Sequence, residues 1–365
     1  MTDPTPSAST PKTTGAPPND GLPKARREYR RFLSPLFRQL LKYSDWPILV
    51  GPWRGEVAIE ALYWIPWLHQ LFHELTIPRT RVFPISRGGA AHWYGCPQGL
   101  ELYAMRSVKE IRIQNKLQQA RTGLLKQTHQ SDFDRAVLRD AAQTLGFGRR
   151  YLTIHPAWMY QALAPFWLGV RGLSWLQTQV RFEPMPVPVL PQELDTKLPK
   201  EYVAVRFYWR TTFPARQETA EFCRAALARL TETHPVVLVN SGLFVDDHGD
   251  YMPKKLPANV LHLPDLLGTP VPETNLGIQS TVILKSMGML GTYGGTTQLA
   301  GRLGRPAVGV YTDWQGTALP HRHLSEALAL HQGVPFNVIR VGDLPMLQEC
   351  LPPIDIARSQ PAMTA

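Results

Sequence analysis

In the second half of the chain, short aliphatic and aromatic runs alternate with segments of helical period, and few folds accommodate that order. Strand patterns fall at Tyr202–Tyr208, Val236–Asn240, Val260–Leu263, Met289–Tyr293, Ala307–Tyr311 and Asn337–Val341. Helix patterns lie between them near 217–232, 277–287, 296–303 and 322–331. Strands separated by helices read as crossover units, so the expected architecture is α/β with a doubly wound parallel sheet.

The first half repeats the theme more faintly. Ile48-Leu49-Val50 runs into the loop Gly51-Pro52-Trp53-Arg54-Gly55-Glu56, and a long apolar helix pattern follows through Leu75. A second strand pattern, Arg81–Ile85, meets Ser86-Arg87-Gly88-Gly89-Ala90, and a third, Tyr151–Ile154, meets His155-Pro156. Strand, polar loop and helix in succession predict a second α/β unit. The expected domains are 45–190 and 191–350, followed by a tail over 351–365. The proline-rich stretch 182–199 serves as an extended linker between the two domains.

Residues 1–22 are rich in Pro, Thr, Ser and Ala and offer too little apolar surface to offset chain entropy, so a disordered tail is expected. The segment 23–44 reads as a basic amphipathic helix. Phe32, Leu33, Leu36, Phe37, Leu40 and Leu41 follow helical spacing, with Arg26, Arg27, Arg30, Arg31, Arg38 and Lys42 around them. Such a stripe packs equally well on an anionic membrane surface or on a protein core.

The 365 residues, 44% apolar and 19% charged, suffice for two domains. No apolar run is long enough for a membrane span and no secretory pattern opens the chain, which predicts a cytoplasmic protein, with peripheral attachment at the inner membrane face as the other option. Cys96, Cys223 and Cys350 are widely spaced and read as ordinary thiols. The net charge of +10 favours an anionic partner. No RNA-binding aromatic motif, zinc-finger spacing or long Lys/Arg block is present, so no nucleic-acid partner is expected.

The most specific segment is Gly291-Thr292-Tyr293-Gly294-Gly295-Thr296-Thr297-Gln298-Leu299-Ala300-Gly301-Arg302-Leu303-Gly304-Arg305-Pro306-Ala307-Val308-Gly309-Val310-Tyr311. A strand meets two glycines and a helix opens on two threonines. Glycine lets backbone approach a ligand, and the free amides and dipole of a helix start favour a diphosphate. Tight packing is the competing explanation for the glycines.

This run resembles the donor-binding motif of bacterial two-Rossmann (GT-B-type) glycosyltransferases, including surface-polysaccharide and heptosyltransferase-like enzymes. Gly51–Glu56 with Leu62-Tyr63-Trp64-Ile65-Pro66, and Tyr202–Tyr208, extend the resemblance over about 45–345. It implies two Rossmann-like domains facing a cleft, with transfer of a sugar from a nucleotide-activated donor to a glycan or lipid-linked acceptor in cell-surface polysaccharide synthesis. It also implies no cofactor, the nucleotide-sugar being a substrate, and no metal. A nucleotide-sugar epimerase of the same fold and a non-catalytic nucleotide- or glycan-binding protein are the alternatives.

Ligands of such folds sit beyond the carboxyl ends of the strands. That geometry selects Glu56 as the base for the acceptor hydroxyl, the competing role being a charge at a helix start. Arg54, Arg87 and His155 are candidates for an acceptor or a phosphate. Arg206, Tyr208 and Arg210, on alternate positions, share one face and flank the donor, together with Asn240, Ser241, Gly242, Tyr293, Gly294, Gly295, Thr296 and Thr297. Asp246-Asp247-His248 invites a metal, but adjacent residues in a glycine-containing loop read more simply as a solvated turn.

Overall fold

The computed structural model describes residues 33–122, 127–243, 249–269, 271–314 and 318–343. The two tails, Arg26 to Arg31, Asp246-Asp247-His248 and Cys350 lie outside the described residues.

Two parallel sheets form the protein. The first orders its strands β3-β2-β1-β4, from Ile48–Val50 (β1), Val82–Ser86 (β2), Leu100–Glu101 (β3) and Leu152–Ile154 (β4). The second runs β12-β11-β10-β5-β7-β9. Its strands are Val203–Arg206 (β5), Val236–Leu238 (β7), Val260–His262 (β9), Gly288–Thr292 (β10), Ala307–Tyr311 (β11) and Phe336–Arg340 (β12). The short pair Tyr208–Trp209 (β6) and Gly249–Asp250 (β8) is antiparallel. Helices cover the sheets, so a strand such as Ile48-Leu49-Val50 is buried on both faces and reads as a continuous apolar run. These are two Rossmann-like units, each a parallel sheet covered by helices.

The helices that position the site begin with a composite one, α1. It comprises Val57–Ile59, a π-helical turn Glu60–Trp64, and Ile65–Glu74. Val108–Thr122 (α2) and Asp132–Thr144 (α3) flank the first sheet. Gln217–Thr231 (α4), Pro272–Lys285 (α5), Gly295–Arg302 (α6) and Ala318–His331 (α7) belong to the second. Helix α5 opens earlier than the 277–287 pattern because Pro272 occupies its first turn, where a missing N–H costs nothing.

The largest core cluster belongs to both halves at once. Trp53, Trp64, Trp67 and Trp93 of the first share it with Tyr202, Ala204, Val237, Val282 and Leu299 of the second. Each sheet also has a smaller cluster of its own. Polar contacts cross the same seam: Gly277 N donates to Gly88 O at 2.6 Å, Trp93 Nε1 to Ser280 Oγ at 3.2 Å, and Tyr63 Oη lies 2.7 Å from His321 Nδ1.

Helix 33–42 packs on this core. Leu33, Leu36 and Leu40 are buried, while Leu41, Arg38 and Lys42 face solvent. Of the two surfaces open to the stripe, the protein core takes it, because three leucines removed from water gain roughly 1.5–3 kcal/mol each.

Candidate functional site

Strand order reverses between β5 and β10 in the second sheet and between β1 and β4 in the first. Loops leaving the carboxyl ends of strands on either side of such a reversal diverge and leave a crevice. In the second sheet those loops carry Arg206–Arg210 and Tyr293-Gly294-Gly295.

The expected single strand Tyr202–Tyr208 is broken there. β5 ends at Arg206, Phe207 turns into an aromatic cluster with Phe213, Phe222 and Tyr251, and Tyr208 pairs with Asp250 in the antiparallel ribbon. Arg206, Tyr208 and Arg210 still gather on one side. The Arg206 guanidinium lies over the Tyr208 ring, 5.4 Å from its centroid, and its Nε donates to Asp250 Oδ1 at 2.9 Å. Asp250 Oδ2 accepts from Ser241 N at 2.9 Å, tying the Asn240-Ser241-Gly242 turn to the same arginine.

Gly294 closes the arrangement. A Cβ there would overlap the Tyr208 hydroxyl and come within 2.8 Å of Arg210 Nη1, so only glycine lets the loop lie so close. Gly295 has a different neighbour: its Cβ position faces Val57 Cβ at 3.3 Å. A side chain at Gly295 therefore presses first on the start of α1, and the position that opens toward Tyr208 and Arg210 is Gly294. Gly294→Val is expected to abolish a donor-induced rise in melting temperature, which a thermal-shift titration reads directly. An unchanged rise in a folded variant would remove this loop from the binding site.

At the start of α6, Gly294 N donates to Thr297 Oγ1 at 3.1 Å, so Thr297 caps the helix. Thr296 Oγ1 is buried and has no hydrogen-bond partner among the described residues. The same holds for Arg210 Nε, Asn240 Oδ1 and Gln279 Nε2. Buried polar atoms without partners cost roughly 1–3 kcal/mol each; Arg210, Asn240 and Thr296 follow strands of the second sheet, and Gln279 lines the cavity between the halves. Tyr293 stacks on Trp314 at 5.9 Å, and its hydroxyl accepts from Gln298 Nε2 at 3.2 Å.

Between the halves lies a cavity of about 80 Å³. Arg87 and Tyr103 line it from the first half, and Arg206, Ser241, Asn275 and Gln279 from the second. Arg87 is aimed by Glu60, a residue local patterning did not single out. Glu60 is fully buried, and its carboxylate accepts from Arg87 Nη1 at 2.8 Å, Ser86 Oγ at 2.5 Å and Tyr94 Oη at 2.7 Å. Burial pushes its carboxyl up, while Arg87 and the two hydroxyls pull the other way. One carboxylate within the apolar run Ala58 to Trp64 was the available signal, since a buried charge must be paired. Asp250 and Gln279 had no such signal.

Arg54 and His155 are not brought to this cavity. Arg54 Nε donates to Asp134 Oδ1 at 2.9 Å, and its other nitrogens reach Asn115 and Gln118. His155 Nδ1 accepts from Ala157 N at 3.1 Å, and its Nε2 lies 3.3 Å from Asp134 Oδ2. Both are spent within the first half, where a buried guanidinium requires a carboxylate. Glu56 is exposed at the start of α1, makes no capping hydrogen bond with its side chain, and directly precedes the Val57 that faces Gly295. Among the described residues no group of three or more His, Cys, Asp or Glu could hold a metal ion.

No protein-family model matches the chain, and no curated protein sequence does. Among solved structures, the chain is similar to the E. coli heptosyltransferase WaaC with ADP, at 12% identity and a TM-score of 0.38. The match covers 83% of this chain and 99% of that one.

Proposed function

We propose that the chain is a glycosyltransferase that moves a sugar from a nucleotide-activated donor to a glycan or lipid-linked acceptor, in cell-surface polysaccharide synthesis in the cytoplasm. The observation that carries this is the glycine loop and helix start at the end of β10, where Gly294 lies against Tyr208 and Arg210, with buried polar atoms on Thr296, Arg210 and Asn240 that lack partners among the described residues and a further one on Gln279, which lines the cavity between the halves. That combination suits a ligand rich in anionic oxygens. The 291–311 run, with its resemblance to donor-binding motifs, supports the nucleotide-sugar class.

In the proposed reaction Glu56 takes the proton of the acceptor hydroxyl, whose oxygen forms a bond to the anomeric carbon. The bond from that carbon to the diphosphate breaks, and its electron pair leaves on the phosphate oxygen. Amides at the start of α6, with Arg206 and Arg210, stabilise that growing charge. Tyr293, Asn240, Ser241 and Gly242 border the donor, and Arg87 faces the acceptor side.

A thermal-shift screen across uridine, cytidine, guanosine and thymidine diphosphosugars tests the binding, since a ligand held only by the native state raises stability. The stabilising donor, incubated with and without candidate acceptors, then separates transfer from epimerisation, which needs no acceptor. No shift with any of these donors would refute the proposal. Gln279→Leu adds a second expectation. Removing a buried donor without a partner should stabilise the unliganded protein by up to about 1–3 kcal/mol while weakening donor binding. Unchanged donor affinity would take Gln279 out of the site.

A further inference from the structure

We propose that the proline-rich stretch 181–190 is a clasp that holds the two halves as one rigid body, so that the cavity between them is built without a closing motion. This goes beyond the proposed chemistry and does not depend on it. Domains joined in one chain move relative to each other unless their interface is large and apolar. Here the main core is common to both halves, and the stretch that joins them is pinned on each side. Toward the first half, Arg181 N donates to Pro66 O at 2.9 Å. The Glu183 carboxylate accepts from Arg79 Nη2 at 2.8 Å and from Arg181 Nε at 3.1 Å, and His69 Nδ1 lies 3.6 Å from it. Toward the second half, Arg302 at the end of α6 donates through Nη2 to Glu183 O at 2.5 Å and lies over the Phe182 ring, 5.4 Å from its centroid. Thr281 Oγ1 of α5 donates to Pro188 O at 2.6 Å. Glu183 thus serves both halves, its carboxylate held by the first and its carbonyl by the second. Between these bonds Met185 and Leu190 are buried in the shared core. The fixed φ of Pro184, Pro186 and Pro188 lowers the entropy that docking the stretch costs.

Gly277 of α5 lies between the stretch and the first half. A Cβ there would stand 2.9 Å from Pro188 Cγ and 3.4 Å from Gly89 Cα, and Gly277 N donates to Gly88 O at 2.6 Å. Asn275 and Gln279, two positions to either side, line the cavity from the second half, and Arg87 and Gly88 line it from the first. The clasp therefore presses one wall of the cavity against the other. A hinge at 181–190 would have to break the Arg302, Thr281 and Gly277 contacts together.

The test is double electron–electron resonance on the full chain, with spin labels at Arg149→Cys in the first half and Leu330→Cys in the second, both exposed, and the native cysteines replaced by alanine. One narrow distance distribution is expected for this parent. Arg302→Leu with Thr281→Val removes both side-chain hydrogen bonds from the second half to the stretch. It should broaden the distribution or add a second population, and lower the melting temperature by about 2–4 °C. Glu183→Gln, at a half-buried side chain whose loss leaves the core intact, should broaden the distribution less. Val189→Ser, 94% exposed within the same stretch, should leave it unchanged. A broad or two-population distribution in the parent would overturn the proposal, as would a parent-like distribution in both Glu183→Gln and the double variant. Should the double variant not fold, Glu183→Gln alone decides.

Discussion

Replacing Glu56 with Gln is expected to lower turnover by about 10²–10⁴-fold, the usual worth of a positioned base, while the donor still raises the melting temperature by its normal amount. Glu56 is exposed and its side chain makes no capping hydrogen bond, so the substitution removes a charge without undoing packing. The residue after it faces Gly295 across the seam, so the chain at Glu56 runs beside the glycine loop of the opposite half. Rates at saturating donor and donor affinity, measured on the same preparation, separate the roles. A near-normal rate would mean Glu56 is not the base. A lost thermal shift would make it a binding residue instead.

The second large effect is structural. Asp134→Ala is expected to destabilise the protein by about 3–5 kcal/mol at neutral pH, because it strands the Arg54 guanidinium in the interior. The two side chains are 0% and 1% exposed, and Asp134 also accepts from Ser131 N at 2.8 Å and Ser131 Oγ at 2.7 Å. Burial works against the Asp134 charge, but the contact with His155 and the Arg54 cation outweigh it and hold the carboxyl well below the usual carboxylate range. A carboxyl depressed in the folded state stabilises above its unfolded value, near 4, and loses that contribution as pH falls further. The gap between parent and Asp134→Ala in chemical denaturation should therefore be full at neutral pH and shrink below about pH 4. A constant gap across that range would show that the charge on Asp134 contributes nothing to the stability it confers.

Much of the second half was legible residue by residue. Ala307–Tyr311 is a strand at the expected bounds, and the helix expected over 296–303 forms at Gly295–Arg302. Helix and strand periods, glycine loops and capping hydroxyls act over a few neighbouring residues, so their signals sit side by side in the chain. The loops at the ends of β1, β2 and β10 were likewise found where strand patterns met glycine, and folds with parallel sheets bind ligands at those ends.

What only the tertiary structure decided is which charges are spent and which face the cavity. Arg54, Arg87 and His155 look alike as loop residues after strands, yet Arg87 reaches the cavity while the other two converge on Asp134, 80 and 21 positions away from it in the chain. Glu60 finds Arg87, Arg206 finds Asp250, and the stripe on helix 33–42 finds the core rather than a lipid surface. Each choice follows from the cost of burying a charge without a counter-charge, or an aliphatic face without a partner. That cost is settled between segments far apart in the chain, so the local sequence fixes the elements and their loops, and packing assigns the side chains their roles.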